Sequence, residues 1–136
     1  MPLVKVSLLS GRSAEEKDAI AASIQAALVS TVDVSDANRH QLFNEYTPAN
    51  FRHTSGYLGM TYSDRLLMIE ITVREGDDDE HKQALLAAIN RNLVAAGVAR
   101  DDDVFILITE IAGTNVSFGK GLAQRAPGLQ AAAGPD

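Results

Sequence analysis

The chain has 136 residues, 46% of them hydrophobic and 22% charged, enough for one domain with a buried core and too few for two. Its 12 lysines and arginines against 18 aspartates and glutamates give a formal charge of −6, a balance that argues against a nucleic-acid partner, which needs clustered basic residues. Without cysteine there are no disulfides, thiolate nucleophiles or sulfur-ligated zinc sites, and no apolar stretch reaches the ~18 residues of a membrane span.

The N-terminus, Met1-Pro2-Leu3-Val4-Lys5, lacks the basic segment, apolar run and cleavage site of a secretory signal, so a single cytoplasmic domain over residues 1–136 is expected. Leu3 to Leu8 alternates and is β-branched, which predicts a strand. Gly11 and Arg12 break it. Ser13 followed by Glu16 is a capping box, in which hydroxyl and carboxylate satisfy free backbone donors, and Ile20, Ile24, Ala27, Leu28 and Val32 then recur at helical spacing. Beyond Asp33, Gln41 to Tyr46 reads as a second strand. Residues 47–65 carry Pro48, Gly56 and Gly59 and read as a loop with little regular structure. Strand, helix and strand then return: Met68 to Val73, a helix capped by Asp78, and Val104 to Ile111. The segment 112–136 opens with glycines around a short apolar patch, predicting a hairpin or turn, and Ala131 to Asp136 is expected to fray.

The second half repeats the first with a shift of 65 residues. Leu3 to Leu8 falls on Met68 to Val73, Ser13 on Asp78, Lys17 on Lys82, Ile24 on Ile89, Leu42 on Leu107 and Glu45 on Glu110. Each half, about 2–46 and 67–111, is a β-α-β unit whose crossover makes its strands parallel and right-handed. The expected fold is α/β: a four-stranded sheet with two helices on one face. A largely parallel sheet rarely leaves a face in water, so a second subunit should cover the other side, and a homo-oligomer is expected.

Chemistry points first to Pro2. With Met1 removed, its nitrogen is a secondary amine, a base and nucleophile that no internal proline can be. An α-amino group titrates near ~8 in the open, and an apolar pocket or a nearby cation lowers that toward a neutral base. Met-Pro is a common start, so the dipeptide alone carries little. In this chain Pro2 opens directly into a strand, which would hold the amine rigidly.

That placement, in two cysteine-free β-α-β units, resembles the tautomerase superfamily, and within it the malonate semialdehyde decarboxylase group. The resemblance spans about residues 2–125. It is carried by Pro2-Leu3-Val4-Lys5, the Leu9-to-Ser13 turn, Asn38-Arg39-His40-Gln41 and, most specifically, Ser117-Phe118-Gly119-Lys120-Gly121-Leu122-Ala123-Gln124. It implies that Pro2 is the catalytic amine and that Arg74 binds the substrate carboxylate, for which a planar guanidinium is suited. It also implies small unsaturated or 2-oxo carboxylic acids as substrates, and a trimer. The sequence departs from the group at three places. Asn38 stands where an aspartate is expected, Glu75, Gly76 and Asp77 stand where a second arginine is expected, and Val116 replaces an aromatic. An amide cannot act as a base, though it can orient a carbonyl or a water.

Asn38 is therefore expected to bind and orient the substrate rather than to carry the chemistry, His40 to be structural or pocket-lining, and Phe118 either to wall an apolar pocket over Pro2 or to pack between subunits. His53, with Asn50, Phe51 and Arg52, is a candidate lid, though simple exposure explains it better; His81 falls in a charged helical turn. Histidines so dispersed offer no metal-ligand spacing, and Gly119-Lys120-Gly121 lacks the hydroxyl residue and setting of a phosphate loop, so neither metal nor cofactor is expected. The acidic run Asp77 to Glu80 fits a helix start. The lead reading is a keto–enol tautomerase. Malonate semialdehyde decarboxylation and a non-catalytic carboxylate-binding oligomer are its rivals.

Overall fold

A computed structural model describes residues 1–128; the tail from Ala131 to Asp136 lies outside the described residues. Strand β1 (Leu3–Leu9) leads to helix α1 (Ala14–Val32) and strand β2 (Gln41–Tyr46). The linker holds a 3-10 turn at Pro48–Asn50 and the short strands β3 (Gly56–Tyr57) and β4 (Met60–Thr61). Strand β5 (Leu67–Arg74), helix α2 (Asp79–Ala95) and strand β6 (Val104–Ile111) complete the second half.

The repeat is physical. Ser13 accepts the Glu16 N–H at 3.1 Å at the start of α1, and Asp78 accepts the His81 N–H at 2.9 Å at the start of α2. Lys17 reaches from α1 to Glu45 on β2 at 2.9 Å, and Lys82 from α2 to Glu110 on β6 at 2.7 Å. Gly11 and Gly76, which turn each strand toward its helix, share positive φ of 120° and 137°. Only half of the expected capping box forms. The Glu16 carboxylate turns instead to Arg12 at 3.2 Å and Arg65 at 3.0 Å, because two guanidiniums offer stronger charge-assisted bonds than one backbone amide.

The four main strands lie in the order β2-β1-β5-β6. Each outer strand is parallel to its inner neighbour, whereas β1 and β5 are antiparallel. The sheet is thus mixed and not largely parallel. Lys5 pairs with Glu70, its own counterpart in the repeat, so a pseudo-twofold axis passes through that pair. Val4, Val6, Leu8, Ile69, Ile71 and Val73 bury their side chains against Ile20, Ile24 and Leu28 of α1 and Leu85, Ile89 and Leu93 of α2. Among the described residues the opposite face has no helix. It carries Lys5 and Glu70 at its centre, flanked by Leu42 and Leu107, 50% and 52% exposed, and Phe105. Apolar side chains left in water, rather than parallelism, are what make this face call for a cover.

The linker is more ordered than its composition suggests, since β3 and β4 form a small antiparallel hairpin. Strands of two residues are too short to show periodicity. After β6 the described chain has a 3-10 turn, Gly113–Asn115, then tight turns closed by Leu122 N–H to the Gly119 carbonyl (3.3 Å) and Ala126 N–H to the Ala123 carbonyl (3.1 Å). Of the two forms expected there, the turn is the one found.

Candidate active site

The strand directions collect the predicted residues at one end of the sheet. Because β1 and β5 are antiparallel, the start of one lies beside the end of the other. Because β2 follows β1 and β6 follows β5, the start of β2 and the end of β6 arrive at the same end. Pro2, Arg74, the Asn38–His40 approach and the segment after Ile111 therefore share one end of the sheet, with Pro2 and Arg74 on its two central strands. The β1–β5 register, Leu3 with Thr72 and Val4 with Ile71, continues outward to set Pro2 beside Val73 and Met1 beside Arg74.

Among the described residues two clefts are lined there. The smaller, about 260 Å³, is lined by Met1, Val32, Val34, Val73 and Arg74, with Glu75, Gly76 and Asp77 at its rim. Pro2, the next residue along the chain from Met1, is buried and is not itself part of that lining. The larger, about 470 Å³, is lined by Arg74, Glu75, Gly113, Arg125 and Pro127. Arg74 faces both.

Of the other predicted residues, Asn38 is half-buried and its turn is pinned from below. The buried Gln25 donates from Nε2 to the carbonyls of Asn38 at 3.1 Å and Ser35 at 3.3 Å. His40 is exposed, and its carbonyl accepts the Val4 N–H at 2.8 Å, which ties the approach to β2 alongside β1. Phe118 is 45% exposed and lies outside the lining of both clefts, as do Asn38 and His40. The Ser117–Gln124 motif is knitted to itself. The Phe118 N–H donates to Gln124 Oε1 at 3.0 Å, and Gln124 Nε2 donates to the Gly119 carbonyl at 3.0 Å.

The far end of the sheet, related by the pseudo-twofold, is closed. Leu67 occupies the place of Pro2 there, Leu9 that of Arg74 and Asp103 that of Asn38. Asp103 is fully buried and accepts the Ser63 N–H (2.8 Å), the Ser63 hydroxyl (2.6 Å) and Arg100 Nε (2.9 Å). Burial pushes its carboxyl up, but the bonds from Arg100 and Ser63 outweigh that and hold it below the usual aspartate range. Arg12, its side chain 6% exposed, donates to the carbonyls of Val98 (2.7 Å) and Arg65 (2.9 Å), and burial with the nearby Arg65 charge lowers its pKa. The linker thus packs on the far end. Its aromatic row, Tyr46, Phe51, His53 and Tyr62, has ring centroids 5.6–6.0 Å apart, so His53 belongs to that packing and lies outside the lining of the two described clefts.

Sequence reasoning missed Met1 as a wall of the smaller cleft, Gln25 as the support of Asn38, and Arg125. The first two had no local signal, and Arg125 lies just beyond the motif that carried the resemblance. Among the described residues no cluster of histidine and carboxylate side chains is arranged to hold a metal ion, and no helix is long and apolar enough to cross a membrane.

Comparison with known proteins gives this geometry its family. A family model described as tautomerase enzyme matches residues 38–119, and a second of the same description matches residues 2–53. The chain belongs to the tautomerase family. The probable tautomerase YusQ of Bacillus subtilis (strain 168) is 28% identical over 124 residues, covering 91% of this chain and 98% of YusQ. The crystal structure of FG41 malonate semialdehyde decarboxylase inhibited by 3-bromopropiolate superimposes with a TM-score of 0.77 at 36% identity, covering 90% of this chain and 92% of that one. A fused 4-OT symmetric trimer shares the fold, with a TM-score of 0.75 at 23% identity over 93% of this chain and 98% of its own. The tautomerase fold accounts for the repeated β-α-β units and for the single bare sheet face.

Proposed function

We propose that this tautomerase-family enzyme uses Pro2, exposed by removal of Met1, as an acid–base amine on small 2-oxo or unsaturated carboxylic acids. The observation that carries the reading is the register that sets Met1 beside Arg74 on the wall of a cleft, with Pro2, the next residue along the chain, buried. Cutting the chain after Met1 removes part of that wall and leaves the secondary amine on its floor. Val32, Val34 and Val73 line the same cleft and limit water, which disfavours the charged amine. The Arg74 guanidinium disfavours it further and offers two parallel bonds to a carboxylate. Neutral Pro2 takes a proton from one carbon or oxygen of the acid and returns it to another, while Arg74 stabilises the developing enolate. Asn38, whose backbone carbonyl Gln25 holds, orients the substrate oxygen from beyond the lining of the two described clefts, with His40 beside it.

The working form is a homo-oligomer, for which the trimer of the fused 4-OT structure is the pattern. Leu42, Phe105 and Leu107 on the bare face then pack between subunits, and Phe118, exposed and outside the lining of the two described clefts, walls a neighbour's. A second reading, decarboxylation of malonate semialdehyde, is favoured by the 36% identity to the FG41 enzyme and opposed by Asn38, which cannot ionise. Turnover of a panel of 2-oxo acids and malonate semialdehyde by wild type, Pro2→Ala and Arg74→Ala tests both. Loss of turnover in Pro2→Ala is expected. Undiminished turnover in that variant overturns the role of Pro2. Arg74-dependent binding without any turnover points to the carboxylate-binding oligomer instead.

A further inference from the structure

Helix α1 runs out at the end of the sheet that holds Arg74, and the chain that follows walls the smaller cleft, with Val32 and Val34 in its lining. The next residues form a tight turn that closes on itself. The Asn38 N–H donates to the Ser35 carbonyl at 2.9 Å, and the Ala37 N–H to the Ser35 hydroxyl at 3.4 Å. Among the described residues, the hydrogen bonds that tie residues 35–38 to another element come from one side chain. Gln25 on α1, 1% exposed, donates from Nε2 to the carbonyls of Asn38 at 3.1 Å and Ser35 at 3.3 Å.

Packing alone does not ask for an amide there. Ser35, Asp36 and Ala37 are exposed and Asn38 is half-buried, so water can satisfy the turn if it lifts from the helix. Gln25 meanwhile leaves its own Oε1 buried without a partner, a destabilising arrangement that an apolar side chain of similar size avoids. A local rule broken in this way marks a turn whose position matters. The repeat supplies the contrast. The counterpart of Gln25 is Asn90 on α2, and that of the turn is residues 100–103. Asn90 makes an exposed bond to the Asp101 carboxylate at 2.9 Å, and the linker holds that turn from outside, through Thr61 on Asp102 and Ser63 on Asp103. At the Arg74 end the hold comes from within the core.

Resting on the reading that Asn38 orients the substrate oxygen, we propose that Gln25 is a positioning residue of the active site and acts through Asn38. The test is the labelling of protein that begins at Pro2 with bromopyruvate, in which the Pro2 nitrogen bonds the CH2 carbon, bromide leaves and the amine proton goes to water. Its concentration dependence separates binding, which Arg74 sets, from the saturated rate, which depends on how the 2-oxo group is turned toward Pro2. Gln25→Met and Asn38→Ala are each expected to slow the saturated rate about tenfold, the effect of one lost hydrogen bond, with the half-saturating concentration unchanged. The double variant should be no slower than either single one, because both remove the same interaction. Asn90→Ala should label like wild type. Amide exchange that quickens only across residues 35–38 reports an intact fold, and Gln25→Leu repeats the measurement with a branched side chain. Wild-type labelling by Gln25→Met while Asn38→Ala is slow overturns the proposal alone, as do losses that multiply in the double variant. Wild-type labelling by Asn38→Ala overturns the underlying reading of Asn38 and the proposal with it.

Discussion

Asp103→Ala removes the acceptor on which the closed end of the sheet is built. Three bonds end on its carboxylate, two from Ser63 and one from Arg100, and the aspartate has no water contact of its own. Arg100 is more than half exposed, so its freed guanidinium turns to solvent and its contribution is small. The two half-buried Ser63 donors lose a charged acceptor, worth about 1.5 kcal/mol each at the lower end of the range for bonds to charged groups. The expected destabilisation is about 3 kcal/mol, which lowers Tm by roughly 10 °C in a chain of this size, compared at equal protein concentration. The pH dependence has a definite sign. A carboxyl held below its ordinary pKa stabilises the fold above the unfolded value, and that stability is lost as pH falls through the folded value. The gap between wild type and Asp103→Ala should therefore be full at neutral pH and close below about pH 4. Because Asp103 lies at the end of the sheet opposite Arg74, turnover of folded protein should not change. A Tm loss under about 2 °C, or lost turnover with Tm intact, would refute the reasoning.

Three further outcomes are expected. His81 bonds the Asp78 carboxylate at 2.6 Å, which raises the histidine pKa, while the His81 backbone N–H first and this ring bond second lower that of Asp78; an NMR titration should find His81 above its ordinary value, and the stability it adds below the unfolded pKa should fade as pH rises through the folded one. Leu107→Lys places a charge on the bare apolar face and is expected to shift sedimentation toward the monomer, whereas the same change at exposed Leu58 should not. Gln25→Met removes the amide that holds the Ser35 and Asn38 carbonyls; it should cost about 1–2 kcal/mol and speed amide exchange across residues 35–38, partly offset because Gln25 Oε1 is buried without a partner.

The β-α-β units were legible because their signals are local: alternation in Leu3 to Leu8, caps at Ser13 and Asp78, and a repeat that carries Lys17 and Glu45 onto Lys82 and Glu110 as matching ion pairs. How the halves join was not. The antiparallel β1–β5 pairing spans the linker, and either direction satisfies the same hydrophobic alternation. The Glu16 carboxylate also escaped the local pattern, since Arg65, its partner, lies 49 residues away. Pro2 and Arg74 were legible through the resemblance, whereas their nearness follows from the register. Arg125 enters the larger cleft through a backbone approach to Gly113 that no periodicity encodes.

The central claim, a reactive Pro2 amine in a carboxylate-binding cleft, is tested most directly by intact mass before and after exposure to bromopyruvate. The expected result is a chain lacking Met1 that gains one adduct, mapped to Pro2 and suppressed by a competing carboxylate in an Arg74-dependent way. A retained Met1, or a free Pro2 that resists labelling, would contradict it.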